Sequence, residues 1–218
     1  MPYRRSERVV QKIASRHAAI IAATGALAAE GGMASVQIAP VAERAGIAAG
    51  TVYRYFPSKI DLIAALVAAK SEAEIAAVDR AADVAPGPLS ALAAAIAVFA
   101  ARAAANRRLA FALMAEPVEP DLASLRARYR AAVAAALERR IGRAIESGHL
   151  PEQDAALAAA SLVGGLIEGL VGPLAPAAPA LSQVQALTLF MLRGLGLMDA
   201  RARGLVVQVA LPLSQDAT

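Results

Sequence analysis

A chain of 218 residues and 22.2 kDa holds one domain or two small ones, with enough length for a real core. It is 58% hydrophobic, much of that alanine, and only 4% aromatic, which favours helices and all but excludes an all-β fold. The absence of cysteine removes disulfides, thiolate zinc sites, iron–sulfur clusters and cysteine nucleophiles. The net charge of +4 is unevenly spread: residues 1–60 carry eight basic and three acidic groups, a net +5 that leaves −1 for the remainder. A basic first quarter implies an anionic partner there, nucleic acid or a membrane surface, against the plainer reading of a solvated basic face.

Met1-Pro-Tyr-Arg-Arg opens on charge with no apolar run behind it, which predicts no signal peptide and a cytoplasmic location. Ile13, His17, Ile20, Thr24, Leu27 and Ala28 recur at helical spacing and predict a helix over 10–30, with His17 partly buried on its apolar face. Gly31-Gly32 ends it. Short helices follow over 38–45, closed by Gly46, and over 49–55, stopped by Phe56-Pro57. Ser58, with Asp61 three residues on, caps a long helix over 58–81.

Ala85-Pro86-Gly87-Pro88 breaks the chain, and Leu89, Leu92, Ile96, Phe99 and Ala103 mark the next helix. A short helix over 106–115 leads to the loop 116–120. Leu122, Leu125, Tyr129, Val133, Leu137, Ile141 and Ile145 form the inner face of a long helix over 121–147, with arginines mostly outward. Further helices are predicted over 154–171 and 181–195, separated by a Pro-rich loop over 172–180. The stretch from Asp199 is ambiguous between a helix end and a β-like tail, so the pattern gives about nine helices and an all-α fold. Residues 84–101 and 169–192 are long enough to test as membrane spans, but their prolines, glycines and polar residues read as alanine-rich helices with a loop attached.

The informative segment is 36–59. A short helix, a turn at Gly46-Ile47-Ala48 and a second short helix make a helix-turn-helix, with Val41, Ala42, Ala45, Ile47 and Val52 as the locking contacts. The second helix presents Ala49, Gly50, Thr51 and Arg54 outward, where small residues allow close approach to base edges and Thr51 and Arg54 can donate. Tyr53, Tyr55 and Lys59 lie where hydroxyl and ammonium groups reach phosphate.

Residues 42–59, AERAGIAAGTVYRYFPSK, resemble the signature of TetR/AcrR-type transcriptional regulators, nearly position for position, and the likeness extends over roughly the first 70 residues. The resemblance implies a homodimer on a near-palindromic duplex operator. It implies an N-terminal three-helix DNA-binding domain (1–57, motif about 37–56) and a C-terminal domain (58–218) that dimerises and binds a small effector. It implies a repressor released from DNA by that effector, with no cofactor, no metal, no membrane partner and no enzymatic activity. Carried over, Gln37 falls at a phosphate-touching position, Ala49, Gly50, Thr51 and Arg54 at reading positions, and Tyr53, Tyr55 and Lys59 at backbone contacts. Ala48 replaces the usual capping Ser, and Gln37 a commoner Thr. Arg4, Arg5 and Arg8 read either as an arm reaching the minor groove or flanking phosphates, or as a disordered basic tail.

Two alternatives remain from the residues: a nonspecific architectural DNA binder, and a helical-bundle enzyme using Arg102, Glu116 and Glu168. Phe99, Phe111, Met114 and Tyr129 are candidates to line an apolar effector pocket, or are core. Glu168, inside the apolar run 162–171, must be paired, lie on an exposed edge or serve that effector. The helices 154–171 and 181–195 are expected to form a four-helix dimer bundle through Leu157, Gly164, Ile167, Val171, Val184, Leu187, Met191 and Leu195, with close approach at Gly165 and Gly169.

Overall fold

Glycine and proline punctuate the helices where the pattern placed them. The computed structural model describes residues 3–117, 120–175 and 181–209. The side chains of Arg4 and Arg5, the centre of the 116–120 loop, the Pro-rich loop beyond 175 and the tail beyond 209 lie outside the described residues. The elements are α1 (Tyr3–Gly31), a 3-10 turn (Met33–Ser35), α2 (Ile38–Arg44), α3 (Ala49–Tyr55), α4 (Lys59–Asp83), α5 (Pro88–Ala105), α6 (Arg107–Met114), α7 (Pro120–Glu146), α8 (Ala155–Leu170), α9 (Leu181–Gly194) and α10 (Asp199–Gln208).

There are thus ten α-helices and no strand among the described residues, one helix more than the sequence pattern gave. The ambiguous stretch after Asp199 is α10, whose Ala202, Leu205 and Val206 are buried against α5 and α9. The first helix begins earlier than its apolar pattern. Residues 7–19 are all exposed, and the helix first enters the core at Ile20. His17 is therefore exposed rather than partly buried, with its ring 5.0 Å from that of Phe56.

At the centre is α5, started by Pro88 at its first turn and enclosed by α4, α7, α9 and α10. By length and composition it could cross a membrane, but 61% of it is buried inside the fold. Its alanines bring neighbouring helices close, and Leu92, Ile96 and Phe99 fill the space between them. Ion pairs tie this core to α4. Arg102 Nε donates to both carboxylate oxygens of Glu74 at 3.1 Å, and Arg140 Nη2 donates to Asp79 at 2.6 Å.

The packing of α8 and α9 differs from the expected one. Ile167, Val171, Val184, Met191 and Leu195 are buried within the chain itself. A Cβ at Gly165 would lie 2.6 Å from Met191, and one at Gly169 3.1 Å from Leu187, so both glycines serve the α8–α9 crossing inside one protomer. Leu157 and Gly164, by contrast, face outward, together with Phe190 and Leu181. Both faces of these helices are apolar, which is why the sequence pattern could not rank them.

Candidate nucleic-acid interface

The corner between α2 and α3 is set by local hydrogen bonding. The Ile47 N–H donates to Ala42 O at 3.0 Å, and the Gly46 N–H to Glu43 O at 3.1 Å, the paired bonds of a Schellman ending. Gly46 sits at φ +64, a left-handed value that glycine adopts without strain. Val41, Ala42 and Val52 are buried and lock the two helices, with Ala45 and Ile47 half-buried beside them.

This corner leaves one side of α3 open. Gly50, Tyr53 and Arg54 are exposed, Ala49 and Thr51 half-buried, and a Cβ at Gly50 would meet nothing within 4 Å. Ala48 caps α3 with extended backbone but no side-chain hydrogen bond, as expected where Ser is replaced. Gln37, exposed at the cap of α2, donates through Nε2 to Ala34 O at 3.3 Å. Tyr55 is half-buried, its ring 6.4 Å from His17 and 6.5 Å from Phe56.

Lys59 begins α4 and is half-buried. The preceding turn is fixed by a reciprocal capping box: Asp61 N–H donates to Ser58 Oγ at 3.1 Å, and Ser58 N–H to Asp61 Oδ2 at 3.0 Å. Thr51, Arg54, Tyr53 and Lys59 therefore come from two helices joined by a rigid corner. Arg8, Lys12 and Arg16 lie along the exposed part of α1. Arg44, one of the eight basic groups counted above, is engaged elsewhere. It forms two bonds, of 2.5 and 2.9 Å, to Glu30 at the end of α1. That pairing lowers the Glu30 pKa and raises that of Arg44.

Glu116 was considered from sequence only as an acid–base group. The structure shows a different use. Its carboxylate accepts the Met33 N–H at 2.9 Å, joining the end of α6 to the turn after α1. At Gly32, φ is +73 and a Cβ would stand 2.7 Å from Glu116 Oε1, so glycine is required both for its conformation and for its space. Arg126 and Arg130 of α7 hold the same end of α6: Arg126 Nη2 donates to Ala112 O at 2.6 Å and Arg130 Nε to Met114 O at 2.9 Å. Burial lowers the Arg126 pKa, with the nearby Glu116 charge opposing.

Of the effector candidates, Phe99 and Met114 are packed in the core, Phe111 is half-buried, and Glu168 is exposed on α8. Tyr129 lines a groove of about 450 Å³ between α4 and α7. Glu74 and Arg102 lie close enough to act on it electrostatically, and burial followed by the Glu74 charge raises the phenol pKa. Glu74 itself was missed from sequence. The signal for it is Arg102, the one charge in the otherwise uncharged α5, which needs a partner.

Residues 20–66 match the sequence profile described as bacterial regulatory proteins, tetR family. The N-terminal third of this chain is of the TetR family. It is 48% identical over 67 residues to the HTH-type transcriptional repressor KstR of Mycolicibacterium smegmatis, covering 31% of this chain and 33% of the relative. It is 51% identical over 57 residues to KstR of Rhodococcus jostii, covering 26% and 27%. The likeness thus spans about a third or less of these curated relatives. The whole TetR-type fold is shared more widely. RolR in complex with resorcinol superposes with a TM-score of 0.66 at 25% identity, over 93% of this chain and 98% of that one. FadR from Bacillus subtilis, in complex with stearoyl-CoA, gives 0.62 at 21%, over 88% and 98%, a likeness of fold alone.

Proposed function

We propose that this chain is a ligand-responsive, sequence-specific DNA-binding regulator, a repressor that leaves its operator when a small, mostly apolar molecule binds its C-terminal helices. The observation that carries the reading is the open face of α3. Gly50, Thr51 and Arg54 stand out from a helix whose buried side is locked to α2. A helix so presented enters a major groove, with Thr51 and Arg54 at base edges and Gln37, Tyr53, Tyr55 and Lys59 at the backbone. The repressor names of the KstR relatives and the resorcinol-bound RolR support the same reading.

The proposed division is a DNA-binding part over 1–57 and a regulatory part over 58–218, acting on duplex DNA in the cytoplasm. Two copies pair through the outward faces of α8 and α9, where Leu157 and Phe190 are each 66% exposed. Such a two-fold dimer presents two reading helices to a near-palindromic operator. Phe111, Tyr129 and Glu168 are the effector candidates that retain accessible surface, and Phe99 and Met114 support them from the core.

The test is a titration of labelled duplexes carrying the operator and unrelated sequence, over a range of salt. Thr51→Ala should shift base preference, and Lys59→Ala should weaken all sequences alike, each by about 1–3 kcal/mol. Binding indifferent to both substitutions, or equal for operator and unrelated duplex, refutes the reading.

A further inference from the structure

The groove between α4 and α7 has features that a packing defect lacks. Its α4 wall is Ala64, Ala65 and Ala68, and opposite them stand Leu125 and Tyr129 of α7. The small residues open about 450 Å³, within the range of small-molecule sites. Tyr129 is 5% exposed, yet no described residue accepts from or donates to its hydroxyl. Buried hydroxyls are ordinarily paired, and leaving one unpaired costs stability. The nearby Glu74 carboxylate is taken by Arg102, which bonds both its oxygens.

We propose that this groove is the effector site, and that its ligand is an apolar molecule bearing a hydrogen-bond-accepting oxygen, a carbonyl or a carboxylate, that receives the Tyr129 hydroxyl proton. This rests on the ligand-responsive reading above and deepens it. The apolar walls take the body of the ligand, and Tyr129 supplies the directional bond. Burial and the Glu74 charge keep the phenol protonated, so it acts as a donor. Arg128 at the rim adds a cation that favours a carboxylate over a ketone. One wall of the groove belongs to α4, the helix that begins at Lys59. A ligand wedged there bears directly on the element that leads into the reading corner.

Calorimetric titration of the full chain with 2-acetonaphthone, 2-naphthoate and naphthalene tests the site. The two oxygen-bearing probes should bind more tightly than naphthalene. Tyr129→Phe should weaken them by roughly 2- to 12-fold and leave naphthalene unchanged. Arg128→Ala should weaken 2-naphthoate alone. Ala68→Phe fills the groove and should abolish binding of all three, with circular dichroism confirming that the variant is folded. Wild-type protein that binds none of the probes, or Tyr129→Phe that binds all three as wild type does, overturns the proposal. A different compound that releases operator equally from wild type, Tyr129→Phe and Ala68→Phe overturns this site and leaves the ligand-responsive reading standing.

Discussion

Gly32→Ala and Gly46→Ala make a matched pair, because the two glycines share a backbone conformation and differ in what surrounds them. Their φ values are +73 and +64. An alanine held there costs about 1–2 kcal/mol in backbone strain. At Gly46 nothing lies within 4 Å of the added methyl, so that strain is the whole effect. At Gly32 the methyl would stand 2.7 Å from Glu116 Oε1, and the carboxylate must withdraw from the Met33 N–H that it accepts at 2.9 Å. Losing that bond adds about 1–3 kcal/mol. Denaturant unfolding should therefore give roughly 1–2 kcal/mol for Gly46→Ala and about 2–5 kcal/mol for Gly32→Ala. In a Glu116→Ala background the clash is gone, and Gly32→Ala should fall to the backbone cost alone. The double-mutant cycle then reads a coupling of about 1–3 kcal/mol between positions 83 residues apart in the Met33–Glu116 contact. A Gly32→Ala cost equal to that of Gly46→Ala, or unchanged by Glu116→Ala, refutes the link between the end of α6 and the turn after α1.

Phe190→Arg changes a side chain that is 66% exposed in one chain, so the fold should persist while the dimer dissociates and operator affinity drops. Sedimentation checks this, and a variant that stays dimeric contradicts the proposed α8–α9 interface. Burial raises the Glu74 pKa above 4.5, with Arg102 opposing, so the folded state holds that proton more tightly than the unfolded chain. The stability from the protonated form is full below the unfolded value and is lost as pH rises through the folded one. Relative to Glu74→Gln, the wild type should therefore lose stability as pH rises past 4.5, read from denaturant midpoints, and a flat or rising difference would exclude this.

What was legible in the sequence was local. The ends of α2 and α3 fall within a residue of expectation, because Gly46 and the contacts of Val41, Ala42 and Val52 act over a few residues. The Ser58–Asp61 box was visible for the same reason. The outward face of α8 was not, because Leu157 and Ile167 are equally apolar and only the position of α9 decides which is covered. α10 shows weak periodicity, and its place is set by α5 and α9. The Glu116 contact had no local signature, since its partner is a backbone N–H on a distant turn. Tyr129 was flagged as a large polarizable side chain, but the groove beside it depends on three alanines of α4 that read as ordinary helix formers.

Selection of duplexes from a random pool by the full-length protein tests the central claim most directly. The account predicts enrichment of a near-palindromic site whose half-sites lie about one helical turn, or a multiple of it, apart. It predicts two chains on each duplex, or a multiple of two, with the affinity falling steeply as salt rises. Thr51→Ala should enrich a different sequence from the same pool. A pool that emerges without a preferred sequence, or one that is the same for Thr51→Ala, would contradict readout through α3.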